Sequence, residues 1–262
     1  MKIVDLTSDA VDLYCVCLED WSEEMKEAGD TKRRWYDEAK NKGLRVKLAL
    51  DDAGTTAGMI QYGPIEDSPA AGRNLYFIHC IWVHGYKEGR GNFQGRGMGK
   101  ALLQAAEEDA RALGVTGMAA WGLAIPVWMK AAWFKKQGYR KADRMGGLQV
   151  LLWKPFSDDA ERPRWIRPGK WPRPIPGQVT VVAFNNGWCP AQNLGVERAR
   201  RAVESFDDSR VVFRRIDTSD RYQFVQWGHW DAVFLDGKEI RTGPPPTEEK
   251  MRALIERRLR KL

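Results

Sequence analysis

Nothing in this 262-residue sequence approaches the ~20 consecutive apolar residues that a membrane-spanning helix needs. Its first residues, Met1-Lys2-Ile3-Val4-Asp5, lack the apolar core of a secretory leader. A membrane partner is therefore not expected, and the protein is read as cytoplasmic. Cysteine is sparse: Cys15, Cys17, Cys80 and Cys189 have no metal-ligand spacing, since Cys15 and Cys17 stand too close for a zinc knuckle and no second pair follows. Free thiols and no metal site are expected. There is also no block of like charge. The net charge is +7, and nearly all of it lies beyond residue 153, where Arg198, Arg200, Arg201 and Glu204 alternate in sign along a helix-like run. That pattern reads as solvated surface, with no specific nucleic-acid partner. The sequence does not set an oligomeric state.

What is present is a globular composition, 43% hydrophobic and 29% charged, with length for two domains. Residues 154–178 form the boundary, because Pro155, Pro163, Pro168, Pro172, Pro174 and Pro176 can sustain neither a helix nor an inner strand. This is a stiff linker that Trp165 and Trp171 would pin down. It separates a first domain, 1–153, from a second, 179–262. In the first, an apolar stripe predicts a helix from Ser8 to about Glu27, and a second helix spans Thr31–Lys42 and ends at Gly43. A hairpin follows (Arg45–Leu50 and Thr56–Tyr62), then a strand over Leu75–His84 that is apolar enough to be covered on both faces. Helices are predicted at Gly97–Leu113 and Val127–Gln137, with strands at Val115–Trp121 and, as a pair turning at Met145-Gly146-Gly147, across Arg140–Trp153.

Between the long strand and the long helix lies Gln94-Gly95-Arg96-Gly97-Met98-Gly99-Lys100. A glycine-rich turn opening a helix gathers free backbone N–H groups and a positive helix end at one point, which suits a phosphate. Lys100 is followed by Ala101, so no hydroxyl stands where a nucleotide-hydrolysing loop would hold magnesium.

The pattern Gln/Arg-x-x-Gly-x-Gly/Ala resembles the acetyl-coenzyme A loop of the GNAT N-acetyltransferases, matched by Gln94, Gly97 and Gly99. Ala131-Ala132-Trp133-Phe134-Lys135-Lys136-Gln137-Gly138-Tyr139 resembles the family's late helix, A-x-x-x-Y-x-x-x-G-F. The resemblance covers residues 1–155. It implies an α/β fold with a GNAT-type mixed sheet flanked by helices, transfer of acetyl from acetyl-CoA to a small-molecule or peptide amine, and cofactor binding by Ile81, Trp82, Val83, Gln94, Gly95, Arg96, Gly97, Met98, Gly99 and Lys100. Alternation places Phe77, His79, Ile81 and Val83 on one strand face, and His79 resembles in position the histidine base of arylalkylamine acetyltransferases. A buried structural histidine is the competing reading. His84 and Glu88 are weaker candidates. The family's thiolate-protonating tyrosine falls at Phe134, which has no proton to give, leaving Tyr139, Tyr76, water or no specific acid. The glycines of His84–Phe93 predict a flap over the site, and the tryptophans nearby allow an aromatic acceptor pocket.

In the second domain the predicted order βαβαββα, with strands at Val179–Phe184 and Val211–Ile216, helices from Pro190 to Phe206, at Ser219–Trp227 and at Thr247–Leu259, and a hairpin of Ala232–Leu235 with Lys238–Arg241, resembles thioredoxin. Trp188-Cys189-Pro190 sits where the redox motif would be, so Cys189 is a candidate nucleophile with a lowered pKa. No second cysteine follows, and Asp231 falls at the place of the thioredoxin cis-proline. An acetyltransferase with such a domain resembles proteins carrying a YoaP-like carboxy-terminal domain. The second domain is expected to shape acceptor choice; a non-enzymatic acyl-CoA sensor and a single-thiol redox protein using Cys189 are the alternatives.

Overall fold

The computed structural model describes residues 1–240 and 244–262. The chain divides into two compact units, Met1–Trp21 with Tyr36–Ile166, and Ser22–Trp35 with Arg167–Leu262.

The first unit begins with a strand that the sequence pattern did not announce, β1 (Lys2–Asp5), a half-exposed edge strand antiparallel to β2. The helix predicted over Ser8–Glu27 is broken. A 3-10 turn leads into α1 (Val11–Cys15), and Cys17 and Leu18 then take positive φ of 53° and 66°. Two consecutive left-handed residues end any α-helix, and the turn they make buries Leu18 as fully as Tyr14. The chain restarts as α2 (Glu23–Lys26), capped where the Ser22 hydroxyl accepts from the Met25 N–H. Next come α3 (Thr31–Ala39) and a 3-10 turn closed by left-handed Gly43.

β2 (Arg45–Leu50) and β3 (Thr56–Pro64) form the expected hairpin, followed by the two-residue β4 (Ala70–Ala71) and the central β5 (Leu75–Val83). Then come α4 (Met98–Ala112), β6 (Gly117–Leu123), α5 (Ala131–Lys136), β7 (Arg140–Met145), β8 (Gln149–Pro155) and β9 (Arg164–Trp165). The helix α5 starts later than its apolar pattern predicts, because Met129 takes a positive φ of 51° behind Pro126. Most of the proline-rich segment is irregular, yet it contributes β9, which pairs with β4 and buries Trp165. Trp171 is exposed.

Seven strands make one sheet in the order β1-β2-β3-β5-β6-β8-β7, antiparallel except for the β5–β6 pair. One apolar cluster joins Ile60, Tyr62 and Ile78 to Leu102, Leu103 and Ala106 of α4 and Phe134 of α5, and another gathers Leu75, Phe77, Leu151 and Trp165. The sheet is thus covered on both faces.

In the second unit, β10 (Val179–Asn185), α6 (Pro190–Glu204), β11 (Val211–Asp217), α7 (Arg221–Trp227), β12 (Ala232–Leu235), β13 (Lys238–Glu239) and α8 (Glu248–Leu259) follow the predicted order. Arg241, the last residue of the predicted hairpin, lies outside the described residues. The sheet order is β11-β10-β12-β13, with β10 parallel to β11 and antiparallel to β12. Alternation along β10 sends Val179 and Val181 to Ala199, Ala202, Met251 and Ile255, and Val182 and Phe184 to Ile216 and Phe234. The Ser22–Trp35 segment is fastened here by charge: Arg198 of α6 donates to Glu24 at 2.7 Å and Glu27 at 3.1 Å, and Arg201 bonds Glu27 as well.

Candidate functional site

Two features of β5 shape the site. First, the pairing with β3 slips: Tyr62 faces Ile78 but Gln61 faces Cys80, so His79 is an extra, bulged residue. The slip reverses the side-chain alternation expected along the strand. Phe77 stays with the cluster of Leu75 and Trp165, whereas Ile81 and Val83 pack with Ile78 toward α4. The single face proposed for Phe77, His79, Ile81 and Val83 is therefore split at His79.

Second, β5 and β6 pair only from Leu75↔Gly117 to Ile78↔Ala120. Beyond that point the strands part, and the Trp121 indole reaches across to donate to the His79 carbonyl at 2.7 Å. The His84 N–H donates toward β3, to Ala57 O at 2.9 Å. By antiparallel alternation, Ile81 and Val83 turn their N–H and C=O groups the other way, into the gap. An amide-containing arm laid in that gap would find strand-like partners.

The gap leads to the glycine turn. Gly95 and Gly97 have φ of 79° and 80°, and a Cβ at either would meet nothing within 4 Å. The glycines here serve conformation and open approach rather than packing. Gly97 is the N-cap of α4 and has no side chain to satisfy the first N–H groups of Met98, Gly99 and Lys100, which have no partner within the helix. Met98 buries its side chain and so anchors the helix start, while Arg96 and Lys100 are exposed cations, the former 5.1 Å above the Phe93 ring. Gln94 lies against Gly85, whose missing Cβ leaves room for its amide. Gly99 faces Val83 and Trp133, so the strand end, the turn and α5 converge.

His79 is 3% exposed and stands edge-on to Phe77 at 5.3 Å. Burial pushes its imidazole down to about 3, so the ring is neutral at physiological pH and has little affinity for an abstracted proton. Phe134 is wholly buried against Trp133 and Tyr139. Neither substitute tyrosine is free for acid chemistry: Tyr76 donates to Gly43 O at 3.2 Å, and burial beside Glu107 pushes the Tyr139 phenol well up.

The stretch His84–Phe93, expected as a flap, is tied down. Arg90 makes a two-pronged pair with Asp20 at 3.1 and 2.9 Å. The buried His84 ring bridges two elements, Nδ1 to Gly91 O at 2.7 Å and Nε2 to the Trp21 indole N–H at 3.1 Å. Because Trp21 can only donate, Nε2 is the accepting nitrogen and Nδ1 carries the proton. This arrangement, spanning 63 residues of sequence, was the main part of the site that the sequence did not reveal.

In the second unit, Cys189 caps α6 and is 4% exposed. Just before it in sequence, the Asn186 N–H at 3.0 Å and the Trp188 indole at 2.6 Å donate to the distant Asp231, and loss of hydration pushes that carboxyl up to about 6. Among the described residues no cluster of three or more His, Cys, Asp or Glu could hold a metal ion, and no helix is long and apolar enough to cross a membrane.

A sequence model described as "Acetyltransferase (GNAT) family" matches residues 7–139. The Bacillus subtilis (strain 168) protein "Uncharacterized N-acetyltransferase YoaP" is 24% identical over 251 residues, covering 92% of this chain and 93% of its own length. Among solved structures, the Escherichia coli GNAT family N-acetyltransferase YhbS in complex with CoA aligns with a TM-score of 0.44 and 14% identity, over 63% of this chain and 88% of that one. Ribosomal-protein-alanine N-acetyltransferase from Brucella melitensis aligns with a TM-score of 0.44 and 19% identity, over 59% and 99%.

Proposed function

The chain belongs to the acetyltransferase (GNAT) family, an acetyl-CoA-dependent N-acetyltransferase, and from that premise we propose that its first unit acetylates a small amine or a protein amino group in the parting of β5 and β6. The observation that carries this reading is the junction of two half-sites: an unpaired strand edge at Ile81 and Val83, and an open helix start at Gly97–Lys100. The fit is chemical as well as spatial. A pyrophosphate needs unblocked N–H donors and positive charge, which the left-handed glycines, the α4 N-terminus, Arg96 and Lys100 supply. A pantetheine arm carries amides, which the edge of β5 can pair.

In this reading Gln94, Gly95, Arg96, Gly97, Met98, Gly99 and Lys100 hold the phosphates, Met98 through its backbone alone. Ile81, Trp82 and Val83 align the arm. Bound there, acetyl-CoA supplies an acetyl thioester that a deprotonated amine can attack, with coenzyme A leaving as the thiol. The chain's own task is chiefly positioning and desolvation. His79 supports it as the bulge residue that turns the strand edge toward the gap. Its buried imidazole is a weak proton acceptor, and Phe134 donates nothing, so the departing thiolate takes its proton from solvent.

The second unit is read as a thioredoxin-like, YoaP-like domain that shapes acceptor choice. Its strand order, with one parallel and two antiparallel pairings, supports that reading, as does an alignment with YoaP that spans both units. Cys189 is too covered for a thiol role to be assigned to it. We also read the protein as cytoplasmic. A crystal structure with acetyl-CoA tests the site: the thioester should lie between β5 and β6 beside Ile81–Val83 with the pyrophosphate on Gly95–Gly99, and a pyrophosphate bound elsewhere would overturn the assignment.

A further inference from the structure

One cluster of side chains on the first unit is not used by cofactor binding, in which Trp82 takes part through its main chain alone. Trp82 lies between the gap-edge residues Ile81 and Val83, and its side chain falls on the other strand face, against Tyr86 at 6.0 Å. Tyr86 also meets His84 at 5.6 Å and Trp21 at 6.0 Å, both edge-on. Trp21 and Tyr86 are 40% and 44% exposed, unusual for large aromatic residues. Each thus keeps part of its ring open to a ligand, although Gly89 packs against the pyrrole side of Trp21. The Trp82 Nε1–H is buried, and no protein group among the described residues accepts it. An unmet buried donor costs about 1–3 kcal/mol, so a ligand oxygen there is rewarded. Burial, and after it the charge of Glu19, raise the Tyr86 phenol, and the π-faces themselves favour a cation.

We propose that Trp21, Trp82, His84 and Tyr86 form the acceptor subsite, which takes a primary ammonium with a neutral oxygen acceptor close by, and that His84 Nε2 receives the proton the amine gives up. This rests on the acetyltransferase reading above. The Trp21 indole N–H now occupies the lone pair of Nε2, and an amine N–H can replace it like for like once Trp21 swings aside. Gly91 O holds the other ring nitrogen as N–H, so the tautomer is already the one that accepts at Nε2. The ammonium proton converts the neutral ring to imidazolium, with Nδ1–H still on Gly91 O and the new Nε2–H free to pass its proton to solvent, while the second proton that the nitrogen sheds as the amide forms goes to solvent and balances the one the thiolate takes up. The enclosure begins one residue past Val83, whose main chain borders the gap in which the thioester is proposed to lie, while the His84 main chain turns to β3. An amine carrying a carboxylate beside its nitrogen is disfavoured by Glu19.

The test uses the full chain and a panel of phenethylamine, glycinamide, an amino-acid amide, the matching free amino acid and spermidine. It measures thiol release from acetyl-CoA, and in parallel the indole N–H resonances of Trp21 and Trp82, assigned with Trp→Phe variants. The amides should turn over best and the free amino acid worst. His84→Gln, which can accept a hydrogen bond but not keep a proton, should lower kcat about 100-fold with the amine KM nearly unchanged. Trp82→Phe should raise the KM of the amides about tenfold while leaving that of phenethylamine alone. Trp21→Phe, which keeps the ring and removes the competing N–H, should lower the amine KM about two- to tenfold. An unchanged acetyl-CoA KM and thermal midpoint control for folding. Turnover that these variants leave unaltered overturns the subsite while the transferase reading stands. If no amine turns over, indole shifts on titration with the amides still support the subsite and count against the transferase reading; no turnover and no shifts overturn the subsite.

Discussion

Gly97→Ala should weaken acetyl-CoA binding far more than it weakens the fold, and Gly146→Ala supplies the control. Both glycines are left-handed, with φ of 80° and 57°, and an added Cβ at either meets nothing within 4 Å. Each variant therefore carries the same backbone cost, about 1–2 kcal/mol for an L-residue with positive φ, and no packing cost. They differ in what the open space is for. Gly146 turns between β7 and β8, whereas the methyl at Gly97 would stand at the mouth of the α4 N-terminus. Charge-assisted hydrogen bonds are worth about 1.5–3 kcal/mol each. Losing one therefore raises the dissociation constant on the order of 10- to 100-fold. Calorimetric titration with acetyl-CoA and thermal unfolding of both variants measure the two effects separately. A Gly97→Ala protein that binds acetyl-CoA as wild type does, or a Gly146→Ala protein equally impaired, would refute the cradle.

Other expectations follow from buried charge. His79, held at about 3 against an ordinary 6.5, takes up a proton only on unfolding, so wild type should lose stability relative to His79→Phe as pH falls from about 6.5 toward 3, by up to about 1.4 kcal/mol per pH unit; urea unfolding between pH 4 and 7 reads the slope. Asp231 has the opposite sign: with its carboxyl raised from 3.8 to about 6, its contribution is present at low pH and lost as pH rises through about 6. Asp231→Asn should thus gain on wild type between pH 4 and 7.5 in the same assay. Arg198→Ala removes the bonds to Glu24 and Glu27 and should destabilise the second unit by about 1–2 kcal/mol in urea, while Glu27, now held below the usual carboxylate range chiefly by Arg198, titrates nearer that range by NMR.

The parts of the site written in local pattern were legible in the sequence. An unbroken apolar run gives β5, a helical repeat gives α4, and glycines that must take positive φ mark the turn between them. What escaped depends on pairings distant in sequence. The bulge at His79 is a one-residue slip between β3 and β5; it leaves no trace in composition, yet it reverses which side chains share a face. The Trp21–His84 bond joins residues that neither periodicity nor motif connects. β1 was missed because an edge strand of four half-exposed residues carries almost no alternation. The break at Cys17 and Leu18 was missed because the stripe of Tyr14 and Leu18 suits a helix, and only tertiary burial favours the turn instead. The joining of Ser22–Trp35 to the second unit rests on Arg198 and Arg201, whose alternating charges read as plain surface until their partners are seen.

The central claim is tested most directly by following thiol release from acetyl-CoA with and without primary amines while identifying the products by mass spectrometry. Thiol should appear in step with an acetylated amine and only when an amine is present. Tight acetyl-CoA binding with no amine-dependent release across the panel would contradict it.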